Sequence, residues 1–269
     1  MSAHPQKKTD IMNRINQLFQ QKKDILSVYF TAGYPQLNDT VRIIKALEKS
    51  GADLIEIGMP FSDPLADGPT IQASSLVALN NGMTIKTLFE QLKDIRKSVS
   101  IPLVLMGYVN PVHKYGIEAF IAKCAEVGVD GVIIPDLPFN EYLEDYKTTF
   151  DKAGVANINL ITPQTPESRI RLIDQNTDSF IYIVSSAAVT GAKKGLAPEQ
   201  ISYFERVKAM NLKNPALIGF GISDNESFNQ TCLYSSGAIV GSAFVKLIGE
   251  SKDLEVDIEA FVTAIKKGH

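Results

Sequence analysis

Two carboxylates stand eleven residues apart in the stretch LIEIGMPFSDPLADGP, residues 54–69. Glu56 lies inside an aliphatic run, and Asp67 lies in a loop of Pro, Gly, Ser and Asp. A glutamate among Leu and Ile needs a cation or a hydrogen-bond donor, or else holds its proton to unusually high pH. A carboxyl group that keeps its proton near neutrality can act as a general acid. Asp67 precedes Gly68-Pro69 on a turn that opens a helical pattern. Taken alone it reads as a turn or helix-capping Asp, as does Asp63. On the loop that follows Glu56, it can instead bring a fixed negative charge to the same pocket.

A second chemical feature is a pair of glycine loops. Gly219-Phe220-Gly221 and Gly241-Ser242-Ala243 each end an apolar run and precede a helical pattern. Backbone N–H groups at such turns, with a helix N-terminus behind them, cradle phosphate without a lysine. Ordinary turn glycine is the competing reading of each loop, and the pairing favours phosphate. Neither nucleotide motif fits: the third glycine of the dinucleotide pattern is missing, and Gly191 to Gly195 has the wrong spacing for a P-loop. The small-residue loop 185–195 reads as a mobile lid or a connector. His4, His113 and His269 show no ligand spacing, so no metal is expected. No Ser-His-Asp or Cys-His arrangement emerges.

These residues must be positioned by short apolar runs alternating with helical patterns. Strands are expected at 27–32, 54–58, 102–106, 131–135, 156–162, 180–185, 216–220 and 238–241. Helices are expected at 36–50, 71–80, 85–98, 117–127, 141–153, 167–175, 198–210, 225–234, 243–248 and 256–267. Such alternation implies parallel strands with crossover helices, and eight strands imply an α/β fold, a (β/α)8 TIM barrel. Ile11, Met12, Ile15, Leu18 and Phe19 form one face of an additional N-terminal amphipathic helix, which suits the bottom of the barrel. Residues 1–269 read as one domain, with an open doubly wound sheet as the alternative. Active sites of barrels lie at the C-terminal ends of the strands. In strand 54–58, Ile55 and Ile57 share the helix-facing side, so Glu56 points inward. None of the eight strands carries Lys or Arg. A core ion pair is therefore disfavoured; a tyrosine is the expected hydrogen-bond partner of an acid-base Glu56, and a structural Glu satisfied by backbone or water is the competing reading.

Composition narrows the function classes. A net charge of -3 and scattered Lys and Arg argue against nucleic acid. Two cysteines, Cys124 and Cys232, make no disulfide framework and suit a cytoplasmic protein. The first residues lack the apolar stretch of a signal peptide, and no run is long enough to cross a bilayer.

Residues 54–72 carry a resemblance, joined by Phe30-Thr31-Ala32-Gly33, Gly107-Tyr108-Val109-Asn110-Pro111, Val189-Thr190-Gly191, Gly219-Phe220-Gly221-Ile222-Ser223 and Gly241-Ser242-Ala243. The chain resembles the tryptophan synthase α-subunit family from its first helix to its last. The resemblance implies a lyase that cleaves indole-3-glycerol phosphate to indole and D-glyceraldehyde 3-phosphate by acid-base retro-aldol chemistry, in tryptophan biosynthesis. It implies Glu56 and Asp67 as catalytic residues. It implies Tyr29, Tyr108, Tyr182, Thr190 and Gly191 at the substrate, with Thr190 linked to Asp67. Gly219, Phe220, Gly221, Gly241 and Ser242 fall at the phosphate. Tyr29 stands where relatives often carry Phe, and Ser186 where some carry Arg. No cofactor is implied in this chain; pyridoxal phosphate is expected in a partner β subunit, within an α2β2 assembly. Docking is expected at the strand C-terminal face, around Pro60-Phe61 and Asn110-Pro111-Val112. A phosphosugar isomerase and a non-catalytic barrel that only binds a partner are the rival readings. Indole release separates both from the lyase.

Overall fold

Strands rich in Ile, Val and Leu on both faces need cover on both faces, and a ring of parallel strands within a layer of helices supplies it. In the computed structural model, which describes residues 13–185, 196–219 and 221–268, nine strand segments form one sheet. They are β1 (Ile25–Thr31), β2 (Leu54–Gly58), β3 (Leu103–Met106), β4 (Gly131–Ile133), β5 (Ala156–Asn157), β6 (Leu160–Ile161), β7 (Ile181–Val184), β8 (Ala216–Gly219) and β9 (Gly237–Val240). Every pairing is parallel, in the order β5-β4-β3-β2-β1-β9-β8-β7-β6. The two ends of that order are halves of one stretch. Between them the Ile158 N–H donates to the Val132 carbonyl at 2.9 Å, and the Tyr182 N–H donates to the Asn159 carbonyl at 3.0 Å. One bent fifth strand thus bonds β4 on one side and β7 on the other, and the eight-stranded barrel closes.

Alternation along each strand divides the core in two. Ile25, Leu54, Val104, Ile133, Ile158, Tyr182, Leu217 and Ile239 fill the barrel interior. Val28, Phe30, Ile55, Ile57, Leu105, Ile183 and Ile218 face the helices. Helix Arg14–Gln21 closes the N-terminal end of the barrel: Ile15 is fully buried in the interior cluster, with Leu18 and Phe19 against it, while Ile11 and Met12 of the expected face lie outside the described residues. Gly131 leaves the room, because a Cβ there would press on Ile15 and Ile158. Two buried aspartates anchor this end. Asp130 pairs with Arg14 at 2.9 Å and Arg96 at 2.5 Å, while Asp53 pairs with Lys22 and with Lys266 at 2.9 Å.

Several boundaries differ from expectation. A helix at Val109–Tyr115 occupies what reads as a loop after the third strand, since Pro111 is tolerated in a first helical turn. Its Val112 is fully buried, so this residue does not offer an exposed contact. The helix expected at 85–98 ends at Leu92 and passes into a 3-10 turn at Ile95–Lys97. The helix expected at 141–153 contains a π turn at Tyr142–Tyr146. The fourth strand stops at Ile133, before Pro135.

Candidate active site

Glu56 sits in the middle of β2, in register with Tyr29 of β1 and Val104 of β3, and it is fully buried. Its side chain joins the barrel interior, as the alternation requires. The hydrogen bond it receives comes from Ser27 rather than a tyrosine: Ser27 Oγ donates to Glu56 Oε1 at 2.8 Å. Glu56 Oε2 is buried and has no hydrogen-bond partner among the described residues. Burial pushes the carboxyl up to about 8, against the smaller downward pull of the Ser27 hydroxyl. At neutral pH this group carries a proton.

Asp67 comes from the loop between β2 and helix Pro69–Asn80, and it is half-buried. Burial raises its carboxyl to about 6, while the Tyr108 phenol donates a hydrogen bond that favours the ionised form. At neutral pH it is mostly an anion. Glu56 thus lies in the drier environment and Asp67 in the more polar one, although Asp67 is also raised. The loop is tied in place: Tyr108 Oη accepts the Ala66 N–H at 2.9 Å, Gln72 Nε2 donates to the Asp67 carbonyl at 2.8 Å, and the Phe61 ring lies 5.2 Å from that of Tyr108. The Val109 N–H donates to Asp136 at 2.8 Å and holds the Tyr108 segment from the other side. Between these anchors Leu65 projects with 95% of its surface exposed.

Tyr29 and Tyr182 each lie within electrostatic reach of both carboxylates. Burial first, and then the charges of both Glu56 and Asp67, push each phenol well above its ordinary range. Each tyrosine lies across a glycine of the neighbouring strand. A Cβ at Gly58 would collide with the Tyr29 hydroxyl, and a Cβ at Gly219 with that of Tyr182. Gly58 follows Glu56 by two residues on the same strand face, so the Tyr29 hydroxyl sits in the layer just above the buried carboxyl. The Tyr29 phenol also bonds with Thr31, whose hydroxyl lies 2.7 Å from that of Ser74; Ser74 Oγ in turn donates to the Ile71 carbonyl at 2.9 Å.

The glycine loops take different roles. Gly219 is explained by the Tyr182 ring it admits. Gly221 has φ +81° and ends that turn. The helix Asn225–Cys232 that follows is already capped by a carboxylate, since Asp224 accepts the Ser227 N–H at 2.8 Å. Helix Ser242–Glu250 has Gly241 at its N-cap and no side-chain cap. Its first N–H groups remain available to an anion, and a Cβ at Gly241 would meet nothing closer than the Tyr29 ring at 3.7 Å. Phe220, Ser186, Thr190 and Gly191, with the rest of the 186–195 loop, lie outside the described residues.

Ser27, Thr31 and Ser74 are polar residues of this site that the sequence reading passed over. Ser27, Tyr29 and Thr31 alternate with Val28 and Phe30 in β1. Polar side chains at every second position of an apolar strand were the available signal. Among the described residues, no group of three His, Cys, Asp or Glu is placed to hold a metal. No described helix is long and apolar enough to cross a membrane.

Residues 15–268 match the family model described as tryptophan synthase alpha chain. The chain is 62% identical over 240 residues to the tryptophan synthase alpha chain of Flavobacterium johnsoniae, covering 89% of this chain and 95% of the relative. It is 57% identical over 255 residues to that of Christiangramia forsetii, covering 95% and 99%. Among solved structures it is similar to tryptophan synthase subunit alpha from Legionella pneumophila, with a TM-score of 0.87 at 34% identity over 96% of this chain and 98% of the other. It is also similar to a chain of the tryptophan synthase complex from Pyrococcus furiosus, with a TM-score of 0.82 at 34% identity over 91% and 98%.

Proposed function

The chain belongs to the tryptophan synthase alpha chain family, and from that premise we propose that Glu56 is its acid-base group and Asp67 its fixed anion. The enzyme is a carbon-carbon lyase that cleaves indole-3-glycerol phosphate to indole and D-glyceraldehyde 3-phosphate in tryptophan biosynthesis. Indole C3 is a poor leaving carbon until it is protonated. Glu56 delivers a proton to C3, giving an indolenine cation. The bond from C3 to the glycerol carbon then breaks, and its electron pair restores the aromatic ring. Glu56, now a carboxylate, takes the proton from the glycerol hydroxyl as that carbon becomes the aldehyde carbon. One proton enters and one leaves, so the group returns to its starting state.

Asp67 serves the same step from a different environment. Positive charge develops at the indole N–H, and an ionised carboxylate beside it lowers the barrier. Tyr108 keeps that carboxylate ionised and oriented. Tyr29 and Tyr182 wall the ring site. The family resemblance assigns Gly241 and Ser242, with Gly219, Phe220 and Gly221, to the phosphate, and Thr190 and Gly191 to the substrate. The observation that carries this reading is the contrast between the carboxylates: Glu56 is raised to about 8 with one free oxygen, and Asp67 is raised only to about 6. Pairs whose environments push them apart divide acid from anion at one pH.

The proposal extends to the assembly. Residues 1–269 form one domain, need no cofactor of their own and work in the cytoplasm with a tryptophan synthase β subunit, in an α2β2 assembly. That partner holds pyridoxal phosphate and consumes the indole. The similarity to a chain from a tryptophan synthase complex supports a β partner, and exposed Leu65 on the loop bearing Asp67 supports docking at the barrel mouth.

The test is indole release by Glu56→Gln and Asp67→Asn, with binding of a glycerol phosphate ligand measured in parallel. Both variants are expected to bind the ligand, Glu56→Gln to lose nearly all turnover, and Asp67→Asn a large part of it. Near-normal turnover by either folded variant would remove that residue from the chemistry.

A further inference from the structure

Apart from Phe180 and the tyrosines, the described barrel interior that surrounds Glu56 is aliphatic, with one exception. Ile25, Leu54, Val104, Leu217 and Ile239 line it. Ser27 is the exception, fully buried one layer below Tyr29 on β1. A hydroxyl in such a layer is costly unless it is hydrogen-bonded. Its one hydrogen bond among the described residues is the 2.8 Å bond to Glu56 Oε1. An alanine would fill this position without a polar atom to satisfy. The hydroxyl is therefore explained by the carboxyl group it touches.

We infer that Ser27 is a positioning residue for the acid-base step: it occupies Oε1 and leaves Oε2 as the oxygen that gives and then takes the proton. The inference rests on the reading of Glu56 as the acid-base group. With the Ser27 hydrogen on Oε1, that oxygen acts as an acceptor, so the proton of the neutral acid resides on Oε2. Oε2 has no hydrogen-bond partner among the described residues. Once the proton has moved to C3, the Ser27 bond persists and steadies the carboxylate at Oε1. Oε2 is then free to accept the proton of the glycerol hydroxyl. The carboxyl group need not rotate between its two tasks.

The same bond tunes the acid. A hydroxyl donates more strongly to a carboxylate than to a neutral acid, so Ser27 opposes the burial that raises Glu56. Among the described residues, the titratable groups that feel the charge of Glu56 are Tyr29 from β1 and Tyr182 from β7, and both also feel that of Asp67 from the loop after β2. β3 presents Val104, and no strand carries Lys or Arg. Removing the Ser27 hydroxyl therefore changes the acid without changing any charge.

The test uses the full chain labelled with carbon-13 at the glutamate carboxyl groups. The signal that Glu56→Gln removes belongs to Glu56, and its titration is followed in Ser27→Ala and Ser27→Thr. Ser27→Ala should raise the midpoint by about one to two pH units, the ten- to hundredfold effect of losing a hydrogen bond to a charged group. The alkaline limb of indole release should move up with it. The kcat at neutral pH should fall while KM stays unchanged, and Ser27→Thr should restore the wild-type midpoint. A midpoint that stays in place in folded Ser27→Ala overturns the inference whatever the activity. Normal turnover in Glu56→Gln would instead overturn the reading of the site, so the two failures are distinguishable.

Discussion

Replacing Glu56 by Gln should make the protein more resistant to unfolding, and increasingly so as pH rises. The carboxyl group titrates near 4.5 when unfolded and at about 8 when folded. Between these values the folded chain binds a proton that the unfolded chain has released. Stability is therefore complete below the unfolded value and declines as pH rises toward the folded one. At about 1.4 kcal/mol per pH unit, the full shift amounts to roughly 4 to 5 kcal/mol. The amide of Glu56→Gln would keep the shape and still accept the Ser27 hydrogen bond, while carrying no ionisable group. The difference in unfolding free energy between Glu56→Gln and wild type should be small near pH 4.5. It should grow at about one proton's slope and level off above about pH 8. Urea titrations at a series of pH values, followed by circular dichroism, measure it. Parallel curves for the two proteins would show that folding does not penalise Glu56 ionisation, and the assignment of a protonated acid at neutral pH would fall.

Gly241→Asp places a carboxylate at the uncapped start of helix Ser242–Glu250; binding of a glycerol phosphate ligand should be abolished, and unchanged affinity by calorimetry would move the anion site elsewhere. Gly58→Ala drives a methyl group into the Tyr29 hydroxyl; it should cost about 1 to 3 kcal/mol of stability and lower kcat, and a variant with wild-type melting and turnover would show that this contact is not tight. Mixing the chain with its cognate β subunit should give a larger species on sizing and faster indole formation. Leu65→Asp should weaken that association by at least about tenfold, and an unchanged complex would place the interface elsewhere.

What could be read in the sequence followed from local pattern. The inward face of Glu56 was legible because Ile55 and Ile57 flank it, and its lack of an ion-pair partner because none of the expected strands holds a cation. The barrel was legible because eight apolar runs alternate with helical patterns, and the closing helix because Ile15, Leu18 and Phe19 repeat at helical spacing. Ser27 was not read as part of the site, because its bond to Glu56 depends on the register of β1 against β2, a contact between residues 29 positions apart. The break at Ile158-Asn159 is likewise a property of closure: one strand must turn from pairing with β4 to pairing with β7. Helix Val109–Tyr115 was hidden by Pro111, which reads as loop although a first turn admits it. The raised carboxyl of Asp67 also escaped, because a loop of Pro, Gly and Asp reads as exposed until Tyr108 and Phe61 pack beside it.

The pH dependence of kcat/KM for indole release, which reports the groups of the ligand-free enzyme, tests the division of roles most directly. The reaction begins with Glu56 protonated and Asp67 ionised. The rate should therefore rise through Asp67 ionisation near about 6 and fall through Glu56 deprotonation near about 8. Asp67→Asn should lower the maximum, lose the acid limb and keep the alkaline one. A wild-type rate that climbs through pH 8 to a plateau would mean that Glu56 must start as a carboxylate, and would contradict its role as the acid that protonates indole C3.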